Sequence, residues 1–100
     1  MDEYTVEILN EAWKELEDIY LCIAKHFREP GTADAMVSAI EDGIYSLEHM
    51  PHRNPERRHG IFANCGYRQL FVKNYTIVYR IDESTHKVLV VAIRYSSSNF

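Results

Sequence analysis

The chain has little of what breaks or staples a polypeptide. Its 100 residues include 4 glycines and 3 prolines, too few for a collagen-like repeat, a flexible linker or a disordered tail. The two cysteines, Cys22 and Cys65, stand far apart and form no CxxC. That is neither a disulfide framework nor a zinc-ribbon spacing. We read both thiols as reduced in a cytosolic chain, with Cys22 a small buried hydrophobe on a helix. No apolar run approaches the roughly 20 residues that a membrane-spanning helix needs. The start, Met1-Asp2-Glu3, is acidic, unlike a secretory leader. Nor does the sequence repeat or carry a low-complexity tract. These absences leave one domain spanning residues 1–100, with ordinary globular composition and a modest core.

Charge is present but unevenly placed. The net value is −4. Residues 1–50 hold 12 acidic and 3 basic side chains, a balance of −9, and residues 51–100 hold 3 acidic and 8 basic, a balance of +5. The first half therefore offers acidic, solvated helix faces. The second offers a surface suited to phosphate or another polyanion, or simply solvated strand residues.

The periodicity changes along the chain. Tyr4, Val6 and Ile8 alternate with Thr5 and Glu7, the pattern of a half-buried strand. Asn10 is a plausible N-cap, with Glu11 in the first turn. Ala12, Trp13, Leu16, Ile19, Tyr20, Ile23 and Phe27 then recur at helical spacing over about five turns. Pro30-Gly31 is expected to stop that helix, and Thr32 to cap a second one. Met36, Ala39, Ile40, Gly43, Ile44 and Leu47 trace the second apolar face, and its small residues predict close approach to the first helix. Residues 50–60 carry two prolines and dense charge, so they read as loop. Short strand character is expected at Ile61-Phe62. Three longer strands follow over 67–72, 75–81 and 88–95, separated by turns at Lys73-Asn74 and 82–86. Short turns between neighbouring strands imply an antiparallel meander. The expected fold is α+β: strand, helix, helix, then a three-strand antiparallel meander, with both helices on one sheet face and the other face open to solvent or ligand.

In that order and spacing the chain resembles the RelE/ParE superfamily of type II toxin–antitoxin toxins. The likeness starts at Tyr4-Thr5-Val6-Glu7-Ile8 and continues through Ile44-Tyr45-Ser46-Leu47 and Met50-Pro51. Its most specific part is Gly66-Tyr67-Arg68-Gln69-Leu70-Phe71-Val72-Lys73-Asn74-Tyr75, followed by Thr76 to Asp82. The resemblance implies a small toxin neutralised by a cognate antitoxin in a hetero-oligomer, without cofactor, metal or membrane. The first reading is growth inhibition by ribosome-dependent mRNA cleavage; the alternatives are a non-enzymatic toxin that binds DNA gyrase and an attenuated member that mainly binds its antitoxin. RelE-like members cut mRNA on the ribosome, and ParE-like members poison DNA gyrase.

Metal-independent RNA cleavage needs a group to deprotonate the 2′-hydroxyl, positive charge on the phosphate, and a proton for the leaving oxygen. By resemblance Arg68 is the candidate at the scissile phosphate, and a guanidinium suits that geometry. It could equally be a structural strand arginine paired with a helix carboxylate. Arg80 and Tyr95 are further catalytic candidates, either of which could be an ordinary strand residue. Arg53, Arg57, Arg58, His59, Lys73 and Arg94 are candidates for gripping RNA phosphates. His49, His52 and His59, even with Cys65, match no zinc signature. The chain ends Tyr95-Ser96-Ser97-Ser98-Asn99-Phe100, with serines where many relatives carry arginines. The ending thus lacks cations that either activity would use.

Overall fold

The computed structural model of the chain describes residues 3–27 and 30–97. In chain order the elements are β1 (Thr5–Ile8), α1 (Asn10–Phe27), α2 (Pro30–Tyr45), two short 3-10 turns (Ser46–Glu48 and Pro51–Arg53), β2 (Arg68–Val72), β3 (Tyr75–Asp82) and β4 (Lys87–Tyr95). The four strands form one sheet in the order β1-β4-β3-β2. β2, β3 and β4 are antiparallel neighbours, as the short turns require, and β1 joins the far edge parallel to β4. The fold is the expected α+β arrangement of strand, two helices and meander.

β1 stops at Ile8, opposite Val90, while β4 continues to Tyr95. The edge of β4 beyond that point would be left with unpaired backbone groups. The chain meets this locally. The Leu9 amide donates to the Val90 carbonyl at 3.0 Å, and the Glu15 carboxylate on α1 accepts from the Ile93 amide at 3.0 Å. The other Glu15 oxygen takes the Arg94 guanidinium at 2.6 Å. One acidic helix residue thus extends the sheet's hydrogen bonding where no strand is available.

The core forms between the helices and one sheet face. Ala12, Leu16, Ile40, Ile44 and Leu47 pack with Ile8, Ile77, Tyr79, Val88, Val90 and Ile93, all nearly or fully buried. Side chains alternate along β3, so Tyr75, Ile77, Tyr79 and Ile81 face the helices and Thr76, Val78, Arg80 and Asp82 face away. A bulge near Val78/Tyr79 leaves Val91 without a partner and keeps Val90 and Ile93 both on the core side.

Several details differ from the sequence reading. Leu9, not Asn10, supplies the first capping carbonyl, to the Trp13 amide at 2.9 Å, so Asn10 already lies inside α1. Pro30 opens α2, which places Thr32 within it; proline's fixed φ and missing N–H suit a first helical position. Cys22 is exposed, because it lies at the margin of the apolar stripe and not on its centre line. The small residue Gly43 fits against β2 and not α1: a Cβ there would sit 2.6 Å from a Val72 methyl. Ile61-Phe62 belongs to a turn, with Phe62 at a positive φ of 65° that a strand excludes. Phe27 ends α1, and its side chain lies outside the described residues, as do Ser98, Asn99 and Phe100.

Gly43→Val should lower stability by about 1–3 kcal/mol through overpacking against β2. Thermal unfolding checks this, and adding Val72→Ala should recover part of the loss. No recovery would place the contact elsewhere.

Candidate functional site

The long segment between α2 and β2 carries most of the candidate cations. It has almost no regular structure, so its backbone groups need other partners. A buried tyrosine supplies the first. Tyr79 is fully buried, and its hydroxyl donates to the Pro51 carbonyl at 2.6 Å and accepts from the Asn54 amide at 3.1 Å. Burial pushes the Tyr79 hydroxyl above its ordinary range, opposed by the Asn54 hydrogen bond and by the Arg68 and Arg53 charges.

Arginines supply the rest. Arg68 lies opposite Tyr79 across the β2–β3 pair and therefore points to the same side. Its Nη1 donates to the carbonyls of Asn54 (2.6 Å) and His52 (3.2 Å). The partners are therefore loop carbonyls and not the helix carboxylate that a structural strand arginine would be expected to meet. Arg53 folds back on the turn before it, donating to the His49 carbonyl at 2.6 Å and to Ser46 Oγ at 2.8 Å. Arg57 is 6% exposed. Its Nε donates to the Ile61 carbonyl at 2.6 Å and its Nη1 to Gln69 Oε1 at 3.1 Å. Burial first, and then the nearby Arg94 guanidinium, hold Arg57 below the usual arginine range.

These bonds draw residues 55–67 over the sheet face opposite the helices. Gln69 points to that face, since its neighbour Leu70 packs with the core. Val78 and Ala92 lie there too, yet are 0% and 1% exposed. That face is therefore partly covered and not wholly open, contrary to the sequence expectation. A loop able to do this was not visible in the residue pattern, because it is built on positive-φ positions at Gly60, Phe62, Asn64 and Gly66 and not on periodicity.

The candidates separate accordingly. Arg57, Arg80 and Arg94 share the face away from the helices. Arg68 and Tyr95 are on the helix side, at opposite ends: Arg68 is level with Tyr79, and Tyr95 is level with Tyr75. Four residues of strand separate those levels, about 13 Å. Tyr95 is 46% exposed and stands edge-to-face with Tyr75 at 5.5 Å. Arg58 and His59 are exposed on the loop, and Lys73 is exposed at the β2–β3 hairpin. Of the loop histidines, His52 pairs with Glu83 at 2.7 Å, and Tyr4 donates to the same carboxylate at 3.1 Å. No group of three potential metal ligands occurs among the described residues.

Among the described residues, α1 is flanked by concave surfaces on two sides. One, about 320 Å³, lies on the helical hairpin and is lined by Trp13, Tyr20, Leu21 and Val37 with Glu17 and Glu41. The other, about 420 Å³, lies between α1 and the Tyr75–Tyr95 pair. Sequence reasoning missed both, because each is assembled from more than one element. No helix is long and apolar enough to cross a membrane.

This layout of strand, helical hairpin and meander closed by a basic loop is that of a type II toxin. The family model for the ParE toxin of the type II toxin–antitoxin system parDE matches residues 6–100, and the chain belongs to that family. Among solved structures it is similar to a chain of the chromosomal ParDE toxin–antitoxin system from P. aeruginosa. That match has a TM-score of 0.77 and 15% identity, and covers 95% of this chain and 98% of that one. It is also similar to a chain of the toxin–antitoxin complex RelBE2 from Mycobacterium tuberculosis, with a TM-score of 0.68, 19% identity, and coverage of 93% and 98%. A mutant of E. coli toxin RelE in the free state matches at a TM-score of 0.66 and 11% identity, covering 95% and 85%. At these identities the structures share the fold alone. No curated protein sequence matches the chain.

Arg57→Ala should cost about 1.5–3 kcal/mol, since it strands the Ile61 carbonyl and Gln69. Arg58→Ala, on the exposed part of the same loop, should stay within about 0.5 kcal/mol. Chemical denaturation separates the two. Tyr79 carries a pH signature as well. Its folded-state pKa lies above the unfolded value, so its contribution is intact below about pH 10 and is lost as pH rises further. Tyr79→Phe should lower stability at neutral pH and flatten the alkaline decline, measured by thermal melts across pH 7–11.

Proposed function

We propose that the chain is a growth-arresting toxin that acts by binding a protein target, DNA gyrase as the ParE resemblance implies, and is neutralised by a cognate antitoxin. The observation that carries this reading is the dispersal of the catalytic candidates. RNA cleavage requires an acid–base pair and a phosphate-binding charge within contact of one reacting centre. Here Arg68 is engaged with loop carbonyls, Arg80 is on the opposite face, and Tyr95 is at the far end of the sheet. Ribosome-dependent mRNA cleavage, the activity that RelE likeness implies, would rest instead on the exposed Arg58, His59 and Lys73, with Arg94 and Arg57 behind them.

The antitoxin reading draws support from the groove on the helical hairpin. Trp13 and Leu21 are 40% and 61% exposed there, the kind of apolar surface an amphipathic segment covers.

Two assays on the chain expressed alone decide the target. Purified protein should inhibit gyrase supercoiling in the low-micromolar range or below, an order set by typical specific complexes. Mapping mRNA 5′ ends during growth arrest should reveal no new cleavage sites. New ribosome-dependent ends with gyrase unaffected would overturn the proposal and restore the nuclease reading.

A further inference from the structure

The cavity between α1 and the sheet end has a composition that the toxin's target does not explain. Asp18, Cys22 and His26 face it from successive turns of α1, and Tyr75 and Tyr95 close the other side. Ile19 and Ile23 line its apolar wall. Among the described residues no lysine or arginine lines it, although the sheet half of the chain is basic. Asp18 forms no ion pair among the described residues.

We propose that this cavity receives the guanidinium of an arginine presented by a partner protein segment. Two tyrosine rings meeting edge-to-face, at 5.5 Å and 73°, form a corner of electron-rich surface. An arginine can stack on such a surface and direct its remaining donors to a carboxylate. Asp18 supplies that carboxylate at the rim. A volume of about 420 Å³ admits the whole side chain with part of the backbone that bears it. The charge also fits at longer range, because the helical half of the chain carries −9 while the sheet half carries +5. A cationic partner segment is drawn to α1, and an anionic one is repelled. Burial already raises the Tyr75 hydroxyl, with Cys22 and Tyr95 adding to it, so that phenol stays neutral and presents an intact ring near neutral pH. The cavity shares no lining residue with the basic loop.

The test uses N-acetyl-arginine amide as probe and its uncharged analogue N-acetyl-citrulline amide as control. In an amide-resolved NMR titration of the free chain, the arginine probe should shift residues 18–26, Tyr75 and Tyr95 and saturate in the millimolar range. Citrulline should bind about fivefold more weakly, the loss expected from removing a cation–π contact. Asp18→Asn should weaken the arginine response about threefold, as for an exposed ion pair. Tyr95→Leu should abolish it without loss of the folded spectrum. Cys22 gives an independent readout: the probe at saturation should slow its alkylation, while Cys65, which does not line the cavity, reacts unchanged. Equal binding of citrulline, no response at these residues, or shifts spread over the acidic helix surface and insensitive to Asp18→Asn would each overturn the proposal.

Discussion

The hydroxyl of Tyr79 lies inside the protein with no exposed surface, and two loop groups converge on it. The Pro51 carbonyl and the Asn54 side chain meet it at 2.6 and 3.1 Å. A phenol buried in a core must find such partners or destabilise the fold. A segment with little regular structure must likewise find partners for its backbone. Each requirement satisfies the other. Arg68, level with Tyr79 on the next strand, adds its guanidinium to the Asn54 and His52 carbonyls. With the start of the loop held in this way, Arg57 can be buried against Gln69 further on. The covered sheet face, the exposed position of Arg58 and His59, and the separation of the candidate cations all follow.

The same logic operates at the opposite edge. β1 is too short to pair with all of β4, and Glu15 continues the hydrogen bonding from a helix. An acidic residue that looks like ordinary solvated charge in sequence is thus part of the sheet. It also engages Arg94, one of the cations that could otherwise meet a phosphate. The chain's formal excess of positive charge in its second half is therefore not all available to a ligand. Arg53, Arg57, Arg68 and Arg94 all have partners within the protein. A fold shared at 11 to 19% identity does not by itself fix an activity, because chemistry resides in which side chains remain unengaged and not in the scaffold.

Much of the architecture was legible. Period-2 alternation marked β1, helical spacing marked α1 and α2, and short turns between β-branched runs marked the meander. These signals depend on which face of an element meets the core, a property repeated over many residues and so hard to miss. Single-residue features were less legible. Pro30 reads as a stop or a start, since proline suits both. Gly43 signals a close approach without naming the neighbour, which turned out to be Val72 of β2. Cys22 sits one step from the apolar stripe, and only the packed helix decides on which side it falls. The candidate site was the least legible. An arginine on a strand looks the same whether it meets a phosphate or a carbonyl, and Arg68 meets carbonyls.

By itself, then, the sequence determined the α+β layout, the order of elements, the unequal halves of charge and the resemblance to a toxin family, all of which are written in local pattern. Tertiary structure decided where each cation points and which are engaged. It paired Arg68 with Tyr79 and sent Arg80 to the other face. It laid a positive-φ loop over a surface expected to be open, and it assembled the Asp18–Tyr75–Tyr95 cavity from residues up to 77 positions apart. The physical reason is register. A strand's side-chain direction reverses with every residue, so which residues share a site depends on pairings and loop closures that no local stretch contains.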